Sequence, residues 1–118
     1  MRLSGIVQKG WGSETIFAST DMYCGKLLNF NKDAKFSMHF HAKKDESWYI
    51  LRGKFLIKFI ETKDASLHDI ELKVGEVWRN RPFQPHQVIC IEEGTIIEVS
   101  TPDSVEDNYR VSKGDSQA

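Results

Sequence analysis

Residues 38–53 read MHFHAKKDESWYILRG. Successive side chains of a β-strand point to opposite faces, so His39 and His41 project from one face. By the same count Lys35 and Ser37 share that face, while Phe36, Met38 and Phe40 point the other way, toward an apolar layer. The polar AKKD that follows reads as a turn. Glu46 then opens the next strand, with Trp48 on its own face and Tyr49 and Leu51 opposite. A hairpin of this form brings Glu46 back beside the two imidazoles. Two imidazoles and a carboxylate aimed at one point suit a divalent Zn, Fe, Mn, Co or Ni ion. Histidines two apart are also common as ordinary strand residues, so the reading depends on what the rest of the chain supplies.

Outward from this stretch, strand signals dominate. Short runs rich in Ile, Val, Phe, Tyr and Trp are broken by turn residues. The pattern predicts strands near 15–19, 23–30, 36–41, 47–51, 55–61, 67–72, 77–79, 86–90 and 95–100, with breaks at NKDAK, AKKDE, LRGK, ETKDAS, KVGE, RPFQP and EEGT. No segment keeps helical apolar spacing over three turns. One short helical turn is expected over 103–108, after Pro102. Many short strands with regular turns mean an all-β sandwich or barrel.

The chain has 118 residues, enough for one domain and one core. A single domain over 1–118 is expected, ordered over about 9–112, with the small polar tail 113–118 disordered. The formal net charge of −1 and the lack of a basic run argue against nucleic acid or an anionic membrane as partner. No window approaches the ~20 apolar residues of a membrane span. The N-terminus carries no apolar signal segment, and two distant cysteines, Cys24 and Cys90, make no disulfide framework. Two small buried thiols in a reducing compartment follow, with the cytoplasm as the default location.

The second half completes the histidine pair. Gly75 opens GEVWRNRPFQPHQV, in which His86 follows Pro85 eleven residues after the glycine. His68, the remaining histidine, sits in a charged hairpin and reads as exposed. With His39, His41, Glu46 and Gly53 in the first stretch, and Gly75 and His86 in the second, the chain resembles a cupin, with Pro82 displaced by one. Phe83 stands where that family usually has a second glycine. The resemblance implies a small double-stranded β-helix (cupin) jelly-roll barrel holding a divalent metal ion (Zn, Mn, Fe, Ni or Co) on His39, His41, Glu46 and His86. Four protein ligands on an octahedral ion leave two positions for water or substrate.

Other stretches narrow the resemblance. KGWGSE at 9–14, NKDAKFSMH at 31–39, ESW at 46–48 and IEVSTP at 97–102, followed by Glu106, Asp107 and Arg110, are similar to the mannose-6-phosphate isomerase type II cupins over residues 9–112. Gly10 replaces that family's proline, and His39 its glutamine at the first ligand position. The resemblance implies a metal-dependent aldose–ketose isomerase acting on, or binding, a mannose-6-phosphate-type small molecule. A phosphate needs a cationic clamp. Lys35, on the histidine face, and Arg79 and Arg81, on the approach to His86, are the candidates, with Lys58, Arg52 and Arg110 behind them. Trp48 and Trp78 offer apolar walls. Trp11 reads as a plug at one end of the barrel, and Asp107 and Arg110 as a surface ion pair. No side chain is assigned as general base. An Fe(II)-dependent cupin dioxygenase acting on a small molecule, and a non-catalytic metal-stiffened sugar-binding barrel, are the competing readings. Exposed edge strands suggest a homodimer paired across a two-fold axis.

Overall fold

The computed structural model describes residues 5–118; residues 1–4 of the expected 1–118 domain lie outside the described residues. Nine strands form one curled antiparallel sheet: β1 (Ile6–Lys9), β2 (Gly12–Ser19), β3 (Cys24–Phe30), β4 (Met38–Phe40), β5 (Glu46–Ile60), β6 (Leu67–Lys73), β7 (Val77–Asn80), β8 (His86–Ser100) and β9 (Tyr109–Ser112). Neighbours run β1-β2-β3-β8-β4-β9, and β5 pairs with β6, β7 and β8. This is the all-β jelly-roll barrel. No helix among the described residues is long and apolar enough to cross a membrane.

The spine is a long ribbon of β5 and β8, paired from Glu46↔Ser100 to Phe59↔His86. The LRGK and EEGT breaks do not end these strands, as the composition predicted. They bend them. The register shifts between Ile50 and Phe55, where Gly53 takes a φ of +86° against Gly94. A Cβ on Gly94 would stand 2.0 Å from the Arg52 carbonyl oxygen. Only paired glycines let two backbones cross this closely, so the ladder continues around the corner as a bulge. The ribbon thereby contributes to both halves of the barrel.

Alternation along the ribbon builds the core. Phe55, Ile57, Val88, Cys90, Ile50 and Ile96 are fully buried, and Phe30 and Leu72 close in beside them. Trp11 is part of this core. It stacks on Phe30 with centroids 4.4 Å apart. Cys24 and Cys90 are both buried and free.

The strand pattern fails at three places. Strands β1 and β9 were not legible: their side chains are exposed, so they lack the apolar alternation of the core strands. The 103–108 turn is reduced to a single hydrogen bond from the Asp107 N–H to the Ser104 carbonyl. The tail at 113–118 is ordered rather than free. Residues Asp115–Gln117 form a 3-10 turn; the Asp115 N–H donates to the Lys35 carbonyl, and the Lys35 N–H donates to Asp115 Oδ2 at 2.8 Å. Short polar side chains supply the hydrogen bonds that the irregular 35–37 backbone lacks from a strand partner. A Cβ on residue 10 would meet the Asp115 carbonyl at 2.4 Å, which accounts for glycine there.

Candidate metal centre

His39 lies on β4 directly across from His86 on β8, and His41 follows one residue after β4 ends. One ring nitrogen from each of the three lies within 4.8 Å of the others. Each Nδ1 meets a main-chain carbonyl: His39 the Ser37 carbonyl at 2.8 Å, His41 that of Asp107, His86 that of Gln84 at 2.9 Å. A carbonyl can only accept, so in all three rings Nδ1 carries the proton and the neutral ring presents a bare Nε2. Burial first, and then the neighbouring His86 and His41, push His39 down to about 3. Burial also lowers His41, against the pull of the Asp107 carbonyl. Both are neutral at neutral pH, as a ligating histidine must be.

The strongest sign is at His86. Its Nε2 is buried with no hydrogen-bond partner, yet stands 3.0 Å from Glu46 Oε1. A lone pair facing a carboxylate oxygen calls for positive charge between them: a proton on Nε2, or a cation. A proton would satisfy one ring. A metal ion satisfies all three Nε2 lone pairs together, with the carbonyls as the outer partners that fix ring orientation. The residues therefore fit a divalent ion. Glu46 stands beside the trio rather than inside the 4.8 Å group. Its Oε1 also accepts from Asn80 Nδ2 at 3.1 Å, and its Oε2 lies 3.2 Å from Lys44 Nζ.

Glu46 does not arrive by a hairpin. Strands β4 and β5 do not pair; β4 is held by β8 and β9, and β5 by β6, β7 and β8. The AKKD segment crosses between the two halves of the barrel. The Asp107 carboxylate ties that crossing down, accepting from the N–H groups of Ala42 at 2.7 Å, Lys43 at 3.1 Å and Lys44 at 3.0 Å. Asp107 is therefore bound to this backbone rather than paired with Arg110.

A cavity of about 340 Å³ opens on the trio, walled by Phe36, Trp48, Lys44, Glu98, Asp103 and Arg110 among others. Trp48 lies where expected, and its Nε1–H donates to Glu98 Oε1 at 3.0 Å. The expected cationic clamp is elsewhere. Lys35 is exposed outside the cavity, because 35–37 is not a continuous strand: Lys35 makes one isolated bridge with Ile89 and strand alternation begins only at Met38. For the same reason Phe36 turns inward, against the His39 and His86 rings. Arg79 points outward from β7 and pairs with Asp45, its Nε donating to Oδ1 at 2.9 Å. Arg81 is exposed and does not line the cavity either, nor does Trp78, which packs on Phe59. His68 is exposed, as read from the sequence, and stacks on Phe59.

The pattern missed a buried ionic network. Lys44 Nζ reaches Glu46, Glu98 Oε2 and Asp103 Oδ1 at 3.2, 3.1 and 3.1 Å. Lys26 Nζ reaches Asp103 and, at 3.6 Å, Glu14. Burial opposes the charge on Lys44, but Glu98, Glu46 and Asp103 outweigh it and raise its pKa. Burial and then the Glu46 charge push Glu98 up to about 8 against the pull of Lys44. A signal was present in the sequence. Lys26 and Glu98 occupy the inward register of otherwise apolar strands, two residues from Leu28 and Ile96.

No family model and no curated protein matches the chain. Solved structures do. Oxalate decarboxylase from Bacillus subtilis superposes with a TM-score of 0.78 at 14% identity, over 92% of this chain and 30% of its own. The capsular polysaccharide assembling protein CapF from Staphylococcus aureus gives 0.77 at 17%, over 95% and 33%. KdgF from Halomonas sp. gives 0.69 at 17%, over 80% and 81%. The chain thus spans about a third of the first two and four fifths of the third. The fold is the cupin fold, a jelly-roll β-barrel with a three-histidine cluster able to hold a metal ion.

Proposed function

We propose that this chain is a metal-dependent cupin whose cavity takes a small, hydroxylated, anionic ligand. In its narrowest form the reading is aldose–ketose isomerisation of a mannose-6-phosphate-type sugar. The observation that carries the metal is the orphaned His86 Nε2 beside Glu46, together with the three carbonyl-fixed rings. A divalent ion held on His39, His41 and His86, with Glu46 alongside, would act as a Lewis acid toward neighbouring sugar oxygens. Phe36 and Trp48 supply apolar walls for a sugar face. Lys26 and Lys44 are consumed by ion pairs, whereas Lys9 and Arg110 line the cavity with no ion pair among the described residues. These two take the place of Lys35, Arg79 and Arg81 as the phosphate clamp. The proton-carrying group stays unassigned: Glu98, the second buried carboxyl, has its oxygens engaged by Trp48 and Lys44.

The test has two parts. Elemental analysis of purified protein should find a divalent metal, and His86→Ala should lower its affinity by at least about tenfold, the loss that even an outer-partner mutation brings. Wild-type protein that binds no divalent metal rejects the reading. Metal-loaded protein should then interconvert mannose 6-phosphate and fructose 6-phosphate. Bound metal without that conversion removes the sugar-phosphate reading alone; bound iron with oxygen uptake replaces it with the dioxygenase.

A further inference from the structure

The two outer faces of the barrel differ in kind. On one, Lys54, Lys58, Asp69, Glu71 and Glu92 cover the C-terminal half of β5 and its neighbours, with Lys54 Nζ 3.6 Å from Glu71 and 3.8 Å from Glu92. That is the polar exterior expected of a sheet with one solvated face. The other outer face, across β2, β3, β8, β5 and β7, is apolar. The register aligns Leu27, Ile97, Tyr49 and Val77 in one row. Val99 and Phe17, whose ring lies over Gly25, form the next row, and Leu51 extends β5 beyond Tyr49.

We infer that this face is the interface of a homodimer, formed by sheet-on-sheet packing of two copies rather than by pairing of edge strands. Area supports a second copy as the occupant. Phe17 is 47% exposed, Tyr49 42%, Leu51 48%, Val77 69% and Val99 54%. At the size of such side chains this amounts to roughly 450 Å² of apolar surface. Half-buried Leu27 and Ile97 and a polar rim bring the patch toward the ~800 Å² per partner of a standard interface. Charge does not oppose self-association, because Arg79 at the margin is neutralised by Asp45 within the same chain. A two-fold axis needs a self-complementary patch, and a flat apolar row meets that need. The inward neighbours of these residues, Trp48 and Glu98, line the cavity, so the dimer would brace that wall from behind. This inference is independent of the metal.

Sedimentation equilibrium of the 118-residue chain should give about 27 kDa, two chains of 13.6 kDa. Tyr49→Glu and Val77→Glu, both on exposed side chains, should each raise the dimer dissociation constant at least tenfold while circular dichroism stays unchanged. Oxidative footprinting of the wild type needs no variant. Tyr49 and Phe17 should lose reactivity as concentration rises, while Phe83 and Tyr109, exposed away from the strip, keep theirs. A monomeric wild type, a dimer that survives in both folded variants, or a dimer in which Tyr49 stays reactive would each overturn the inference.

Discussion

One barrel encloses two different interiors, and the same strands supply both. Around Phe55, Ile57, Val88 and Cys90 the core is apolar and fully buried. A few residues away along β5 and β8, Glu46 and Glu98 turn inward at almost equal burial, joined by Lys44 from the crossing segment. The apolar half stabilises the fold, at ~1.5–3 kcal/mol for each large side chain taken out of water. The ionic half does not do so by the same route. Moving charges out of water costs several kcal/mol per ion, and their mutual attraction repays this only with good geometry. Two buried carboxylates and two buried lysines, Glu46, Glu98, Lys26 and Lys44, nevertheless line the cavity.

That contrast can be tested from its strongest side to its weakest. Phe55→Ala empties the centre of the apolar half and should cost about 3–5 kcal/mol, read from urea denaturation. An effect under 1 kcal/mol would mean that this half is not the main source of stability. Lys44→Met leaves Glu46 and Glu98 buried without their shared cation and should cost about 3 kcal/mol. The contrast sharpens if Glu46→Gln is added, because Glu46 is the buried carboxyl held ionised: against burial, His86 and Lys44 keep it well below the ordinary carboxyl range. Removing its negative charge should recover over a third of that loss in a double-mutant cycle, whereas simple additivity would show that Lys44 acts through packing alone. The smallest effect is at the mouth. Phe83 holds a φ of +69° in the turn before His86, with its N–H donating to the His41 carbonyl. A left-handed conformation costs a non-glycine residue ~1–2 kcal/mol, so Phe83→Gly should stabilise by about 0.5 kcal/mol after the added chain entropy of glycine. A loss of stability would show that the Phe83 ring contributes more than its conformation costs.

The Phe83 turn also shows how far local sequence reaches. The resemblance expects a glycine there, and the backbone keeps a glycine-like conformation without one. Hydrogen bonds from the Phe83 N–H to the His41 carbonyl and from the Gln84 N–H to the Arg81 carbonyl hold the turn, not the residue type. Lys35 shows the opposite failure. Counting by twos from His39 puts it on the histidine face, but the count holds only inside a strand, and the strand starts three residues later. Arg79 and Arg81 were selected for closeness to His86 along the chain. β7 instead places Arg79 outside, opposite Ser47 of β5. The ordered tail was illegible for a different reason: its partner, the backbone near Lys35, lies some eighty residues away.

The sequence by itself determined the all-β class and most of the strand positions, because alternation is a local property; the family resemblance, not local spacing, joined Glu46 and His86 to His39 and His41. Tertiary structure decided what surrounds them. Only closure of the barrel joins buried Lys44, Glu98 and Lys26 through the more exposed Asp103, brings the three histidine rings together, and leaves one outer face apolar. Those arrangements depend on which strands meet and on which side of the sheet each residue falls. A single bulge or a late strand start is enough to reverse either.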